Sequence, residues 1–214
     1  MQNFIKLGIS IGDPNGIGPE IILKTLTEED SNGIIPIIYS DLDIINFYLN
    51  HLSIKVDVNV IDDPMKAKHG ILNVFQLSNS NFKIHFGQPK KESGQIAFQS
   101  LSKASEHAVK NLIDGIVTAP IDKNTIQGDN FNFNGHTEYL TSITNKNQSL
   151  MLMAHGKLKV GIVTNHLSLD QVSKSITVDG ILKKIRLMHQ SLKRDFKIKN
   201  PKIGLLGLNP HSGD

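Results

Sequence analysis

Five short segments of the chain, KLGISIG, IIPIIYS, DGIVTAP, LKVGIVTN and KIGLLGL, are apolar at nearly every position rather than at every second one. A strand of that kind has no face to give to water and belongs in a sheet covered on both sides. Between these segments lie GPEIILKTLTEE, DLDIINFYLNHL, SGQIAFQSLSKASEHAVKNL and TVDGILKKIRLMHQSLKRDF, whose apolar residues recur with the period of a helix burying one stripe. Strand and helix in alternation predict an α/β fold with a largely parallel sheet. Length allows two such domains. The polar, glycine-containing stretch IDKNTIQGDNFNFNGHTE interrupts the rhythm, so a first α/β domain is expected over residues 1–125 and a second over 126–214. From about residue 50 to 90 the pattern loosens into VDVNVIDD and ILNVFQL among Asn, Asp and Ser, which reads as a peripheral, partly antiparallel segment.

Composition narrows the class of protein. With 39% hydrophobic and 20% charged residues the chain resembles an ordinary globular protein and not a disordered one. Its net charge of +3 comes from lysines spread along the sequence, without the clustered basic tract of a nucleic-acid surface, and implies a mild bias toward anionic small molecules. No cysteine is present, so disulfides and thiolate metal sites are excluded and any metal must be held by imidazole and oxygen. The opening MQNFIKLGISIGDP lacks the apolar run and cleavage site of a signal peptide, and nowhere do the apolar residues run long enough to span a membrane. A cytoplasmic enzyme or binding protein is the expectation.

In α/β proteins ligands bind in loops at the carboxyl ends of strands, and four such loops carry chemistry. The first, GDPNGIGPE, has Gly12, Gly16 and Gly18 for a tight turn and Pro19 and Glu20 for a helix start. It either presents free N–H groups to an anion or is a plain strand-to-helix turn, and it matches neither the dinucleotide glycine fingerprint nor the P-loop. The second, TAPIDK, places Lys123 where it either balances an anionic substrate or moves a proton, or is simply a surface lysine; Lys123 is the candidate catalytic residue. In the third, NGHTEYL, Thr137 or Asn134 could cap a helix with Glu138 in its first turn, which leaves His136 unexplained. The fourth feature is a pair: His166 follows LKVGIVTN and His211 follows KIGLLGLNP, so two strands each hand a histidine to the loop at their end. Two imidazoles converging on one divalent ion would leave positions open for substrate, as a catalytic metal requires. The remaining six histidines, at 51, 69, 85, 107, 155 and 189, carry no role in this reading.

GISIGDPNGIGPE, GIVTAPIDK, FNGHTE, VTNHLSL and GLNPHSGD, in this order, resemble the 4-hydroxythreonine-4-phosphate dehydrogenases of the PdxA family. The resemblance implies a two-domain fold like that of isocitrate and isopropylmalate dehydrogenases, in a homodimer whose active site is completed by the partner subunit. It implies NAD- or NADP-dependent oxidation and decarboxylation of 4-phosphohydroxy-L-threonine to 3-amino-2-oxopropyl phosphate, on the route to pyridoxal phosphate, with a divalent metal (Zn, Mg, Co or Mn). His136 and Thr137 match the family's substrate-binding pair, and His166 and His211 match metal-binding histidines; Lys123 and Asp13 fall within family motifs in supporting roles. The resemblance assigns no cofactor-binding residues. The family's third metal histidine lies downstream in a tyrosine-His-Asp-Gln-Gly segment, so NPHSGD falls within the family pattern and the second domain is expected to be incomplete in this chain. Two alternatives stay open: a related decarboxylating dehydrogenase for another phosphorylated hydroxy acid, such as a tetronate phosphate, and a non-catalytic fragment that binds metal or phosphate.

Overall fold

The computed structural model describes residues 4–28, 33–78, 80–146 and 148–211, so the last three residues of NPHSGD lie outside it. The chain forms two compact units, Met1–Asn145 and Lys146–Asp214.

The first unit is built on a sheet of five parallel strands. Its elements in chain order are β1 (Ile5–Ser10), α1 (Gly18–Glu28), β2 (Ile34–Ser40), α2 (Leu42–His51), β3 (Val58–Ile61), β4 (Leu72–Gln76), α3 (Lys91–Val109), β5 (Gly115–Thr118) and α4 (His136–Ile143). The spatial order is β3-β4-β2-β1-β5. Successive residues of β2 point to opposite faces, and both faces are covered. Ile38 packs with Ile22, Leu23, Ile44, Ile45 and Tyr48 of α1 and α2, whereas Ile37 and Tyr39 pack with Phe75 and with Ala104 of α3. That is why IIPIIYS is apolar throughout and not alternately.

The expected peripheral, antiparallel segment between residues 50 and 90 is not found. VDVNVIDD and ILNVFQL contain β3 and β4, both of which extend the main sheet in parallel, with β4 paired directly to the central β2. Their signal is masked by Asn73, which is 0% exposed in the middle of β4. Its Nδ2 donates to the carbonyls of Pro36 (3.0 Å), Lys68 (2.8 Å) and Ile71 (3.1 Å), while its Oδ1 accepts from Lys68 N (2.9 Å) and Asn59 Nδ2 (2.8 Å). A fully bonded amide can sit in a core at little cost, yet in the sequence it breaks an apolar run. The first unit also reaches beyond residue 125, because Ile126, Phe131 and Tyr139 bury against Ala97 and Leu101 of α3.

The second unit contains β6 (Leu152–His155), β7 (Leu158–Gly161), α5 (Leu169–Ser175) and α6 (Val178–Arg194). Thr177 caps α6 by accepting from Gly180 N at 3.1 Å, which sets the start of the helix read from the sequence. The parallel strands expected here differ in the structure. LKVGIVTN is a strand only through Gly161, and it pairs antiparallel with β6 in a hairpin closed by Gly156 at φ +51°. KIGLLGL forms no strand, and Leu205, Leu206 and Leu208 are 60%, 90% and 60% exposed. An apolar run becomes a strand only where a neighbour satisfies its backbone; β7 finds one next door in sequence, and residues 202–208 find none among the described strands.

Candidate active site

The chain leaves β1 toward β2 on one side and comes back to β5 on the other. The carboxyl ends of β1 and β5 therefore flank the point where the strand order reverses, the usual ligand position in an open α/β sheet. Their loops are in contact. Asp13 N donates to Pro120 O at 2.9 Å. Gly12 has φ +71°, and a Cβ there would lie 2.2 Å from that same carbonyl oxygen. A Cβ on Gly18 would lie 2.7 Å from Ile11 O. The glycines of GDPNGIGPE thus serve close backbone approach, and the loop's polar groups are taken up internally. Tyr48 OH donates to the carbonyls of Pro14 (2.8 Å) and Gly16 (3.1 Å), and Asp13 Oδ1 accepts from Asn15 N at 2.9 Å. Of the two sequence readings, turn and anion cradle, these bonds favour the turn, with Asp13 in a structural role.

Asn15 was not singled out by the sequence. It is 2% exposed, donates from Nδ2 to Gln88 O (2.8 Å) and accepts at Oδ1 from His85 N (2.9 Å), tying the loop before α3 to the loop after β1. A polar residue between Pro14 and Gly16 is unremarkable as turn chemistry, and only its burial shows the clamp.

After β5, Asp122 turns the chain by accepting from Asn124 N (2.9 Å) and Thr125 N (2.8 Å), bonds that hold its carboxyl below the usual aspartate range. Lys123 is exposed on this turn. His136 is the first residue of α4, and the N-cap is Gly135, which has no side chain. Neither Asn134 nor Thr137 caps the helix, contrary to the sequence expectation; no side-chain cap bond is made there, and Thr137 contributes its carbonyl to Thr141 Oγ1 at 2.7 Å. The first amides of α4 therefore point out with only the helix dipole behind them. His136 is half-buried, and its Nε2 is enclosed without a hydrogen-bond partner in the protein. Burial, and then the positive charge of Lys123, lower its pKa from 6.5, so the imidazole is neutral at physiological pH. The structure thus brings Lys123, His136 and Thr137 together in the first unit.

His166 and His211 both lie in the second unit, exposed on loops. His166 adopts φ +55°, and His211 N donates to Asn209 Oδ1 at 2.9 Å. Neither stands at the end of a parallel strand as expected: His166 follows a hairpin strand, and His211 follows an extended stretch that is not a strand. Among the described residues no group of three or more His, Cys, Asp or Glu could hold a metal ion. His107 belongs to the core instead, with its Nδ1 2.9 Å from Tyr39 OH and its ring edge-on to Phe75. No helix of the described residues is long and apolar enough to cross a membrane.

Residues 33–214 match the family described as "Pyridoxal phosphate biosynthetic protein PdxA". Over 215 residues the chain is 37% identical to a 4-hydroxythreonine-4-phosphate dehydrogenase of Bacteroides thetaiotaomicron, covering 100% of this chain and 59% of the relative. It is 34% identical over 212 residues to a protein of Oceanobacillus iheyensis named for D-threonate 4-phosphate, covering 97% of this chain and 64% of that relative. A crystal structure of a 4-hydroxythreonine-4-phosphate dehydrogenase from Burkholderia phymatum superposes with a TM-score of 0.85 at 26% identity, covering 98% of this chain and 64% of that one. The chain therefore spans about three fifths of the length of these relatives.

Proposed function

Because the chain belongs to the PdxA family, we propose that it carries part of an enzyme that oxidises and decarboxylates 4-phosphohydroxy-L-threonine to 3-amino-2-oxopropyl phosphate with NAD or NADP. The observation that carries this reading is His136: a neutral imidazole, enclosed, with Nε2 unpartnered, beside the cation of Lys123 and the uncapped start of α4. Such a group is ready to bond a polar substrate atom, since leaving a buried nitrogen unpaired costs about 1–3 kcal/mol.

The reaction takes a hydride from the carbinol carbon to the nicotinamide and a proton from its hydroxyl; the resulting 3-keto acid loses carbon dioxide. His136 and Thr137 position the substrate through hydrogen bonds, and the outward amides of α4 and the charge of Lys123 balance its anionic groups. As a cation Lys123 would also steady the charge developing on the substrate oxygen, while the hydroxyl proton passes to solvent. The exposed imidazoles of His166 and His211 have the donor chemistry for a divalent ion, Zn, Mg, Co or Mn, with a third ligand from outside the described residues. When bound, that ion supplies Lewis-acid polarisation of the substrate oxygen. The active enzyme in this reading is a cytoplasmic homodimer whose site is completed across the subunit interface.

The relative named for D-threonate 4-phosphate favours a second reading, the same chemistry on a phosphorylated hydroxy acid without the amine. Protein expressed from the full reading frame, given a divalent ion and either substrate, should reduce NAD or NADP, and the substrate with the higher kcat/KM names the function. Reduction with neither substrate refutes the dehydrogenase reading, and His136→Gln should lower kcat/KM for the true one.

A further inference from the structure

An asparagine followed by glycine is prone to lose its side-chain amide, because glycine neither hinders nor restrains the backbone nitrogen that attacks it. The chain has three such steps, at Asn15, Asn32 and Asn134. Asn32 lies outside the described residues, and the other two stand in opposite surroundings. Asn15 is buried; its Nδ2 donates to Gln88 O and its Oδ1 accepts from His85 N, while Gly16 N donates to Asp13 O at 3.0 Å. Attacking nitrogen and attacked amide are both tied down. Asn134 is exposed on a bend, and neither its side-chain amide nor Gly135 N forms a hydrogen bond with any described residue. Nothing in the backbone or the packing asks for glycine at 135. Its φ of 169° is extended backbone that any residue adopts, and a Cβ there would lie 3.6 Å from Glu138 Oε2, an ordinary contact. Gly135 is also the N-cap of α4, so its amide sits at the positive end of the helix dipole, which favours the anionic nitrogen that attack requires.

We propose that Asn134 is a site of spontaneous deamidation and that the carboxylate formed there competes with the anionic substrate for the start of α4. Gly135 N gives its proton to hydroxide and bonds to Asn134 Cγ; the bond from Cγ to Nδ2 then breaks, and the side-chain nitrogen leaves as ammonia with a proton from water. Water opens the resulting five-membered succinimide at one carbonyl or the other, giving aspartate or isoaspartate. In sum, one amide and one water become one carboxylic acid and one ammonia, with no change of oxidation state. Either product sets a negative charge one residue before the N-cap and two before His136. That is the helix end whose outward amides, with Lys123, are offered to the substrate's anionic groups. The dipole that would hold the substrate's charge holds this one instead, and like charges repel. Isoaspartate also lengthens the backbone by one carbon ahead of His136 and shifts the imidazole. The reactive site stands on the loop geometry alone, whereas its consequence rests on the dehydrogenase reading.

Protein from the full reading frame, aged in mildly alkaline buffer and peptide-mapped by mass spectrometry, tests the site. Aspartate and isoaspartate should appear at position 134 at least about tenfold faster than at position 15, whose protection must first be opened. In urea the two should react alike, because only the fold shields Asn15. Gly135→Ala should slow the reaction at 134 by about tenfold or more at an unchanged thermal midpoint. An intact Asn134, equal rates at the two positions in the folded protein, or an unslowed Gly135→Ala variant overturns the site. Asn134→Asp, which carries the charge from the outset, should raise KM at least about threefold with kcat nearly unchanged, and added salt should narrow the gap; the neutral Asn134→Gln should keep the parent's KM. Equal KM in those two variants overturns the competition with substrate. No turnover of either substrate by the parent refutes the dehydrogenase reading and the competition with it, and leaves the site standing on the peptide map.

Discussion

Replacing Gly12 by alanine tests whether the loops after β1 and β5 meet as closely as described. Two costs add. At φ +71° a Cβ strains the backbone, which is worth about 1–2 kcal/mol. The added carbon would also lie 2.2 Å from Pro120 O and 3.0 Å from Ala119 Cβ, so the β5 loop must retreat by about 1 Å to restore contact. Retreat breaks the Asp13 N to Pro120 O bond of 2.9 Å, about 1 kcal/mol, and loosens the packing of Ala119 for roughly another 1 kcal/mol. The total is about 3–4 kcal/mol, a fall in urea midpoint of roughly 1–2 M for a domain of this size. Gly70→Ala is the control: Gly70 has φ +74°, and a Cβ there would meet nothing within 4 Å, so it bears only the backbone cost of about 1–2 kcal/mol. Tyrosine fluorescence follows unfolding, since the chain has no tryptophan and all three tyrosines, Tyr39, Tyr48 and Tyr139, lie in the first unit. Equal midpoints for the two variants would show that the loops do not touch at Gly12.

Asn73→Leu, close in volume, should destabilise the first unit by about 2–3 kcal/mol in urea titration, because it strands the carbonyl of Pro36 in the sheet and removes the bonds that tie the amide and carbonyl of Lys68, in the segment before β4, to that strand; a neutral outcome would deny the amide its part in seating β4. His107 and His136 are both held below 6.5 by burial, so the unfolded chain takes up protons first as pH falls. Their contribution to stability is whole above that value and is lost as pH drops toward the folded-state values, so thermal midpoints should decline from about pH 7 to 5. The double variant Tyr39→Phe, His107→Phe should make that decline shallower, and an unaltered slope would remove His107 from the account. His166→Ala or His211→Ala should each weaken Zn²⁺ or Co²⁺ binding at least about tenfold in the protein from the full reading frame, read by competition with a chelating dye, and undiminished affinity in either variant would exclude that residue as a ligand.

Much of the fold was legible from local pattern. Helices α1, α2, α3 and α6 fall where the periodicity placed them, and β1, β2 and β5 coincide with the fully apolar runs. These readings succeed because period and composition report whether a segment buries one stripe or two faces, a property each segment carries alone. The candidate site was legible in part by the same route. Lys123 and His136 stand out as chemistry-bearing residues in loops, and the order of motifs points to their family.

Tertiary structure decided the rest, through partners that each segment does not itself contain. Asn73 looked like a loop residue until Pro36, Lys68 and Asn59 supplied its bonds, and with it β4 passed from the periphery into the main sheet, beside the central β2. KIGLLGL has the composition of a buried strand but pairs with no described strand, so its leucines stay exposed. The neutrality of His136 depends on its enclosure and on Lys123, thirteen residues earlier in the sequence. The sequence by itself determined which segments could be strands, helices and reactive loops, because propensity and amphipathic period are local free energies. Strand order, the clamp at Asn15 and the electrostatics of His136 were settled only by folding, because pairing, desolvation and charge proximity are properties of the contacts and not of the segments that make them.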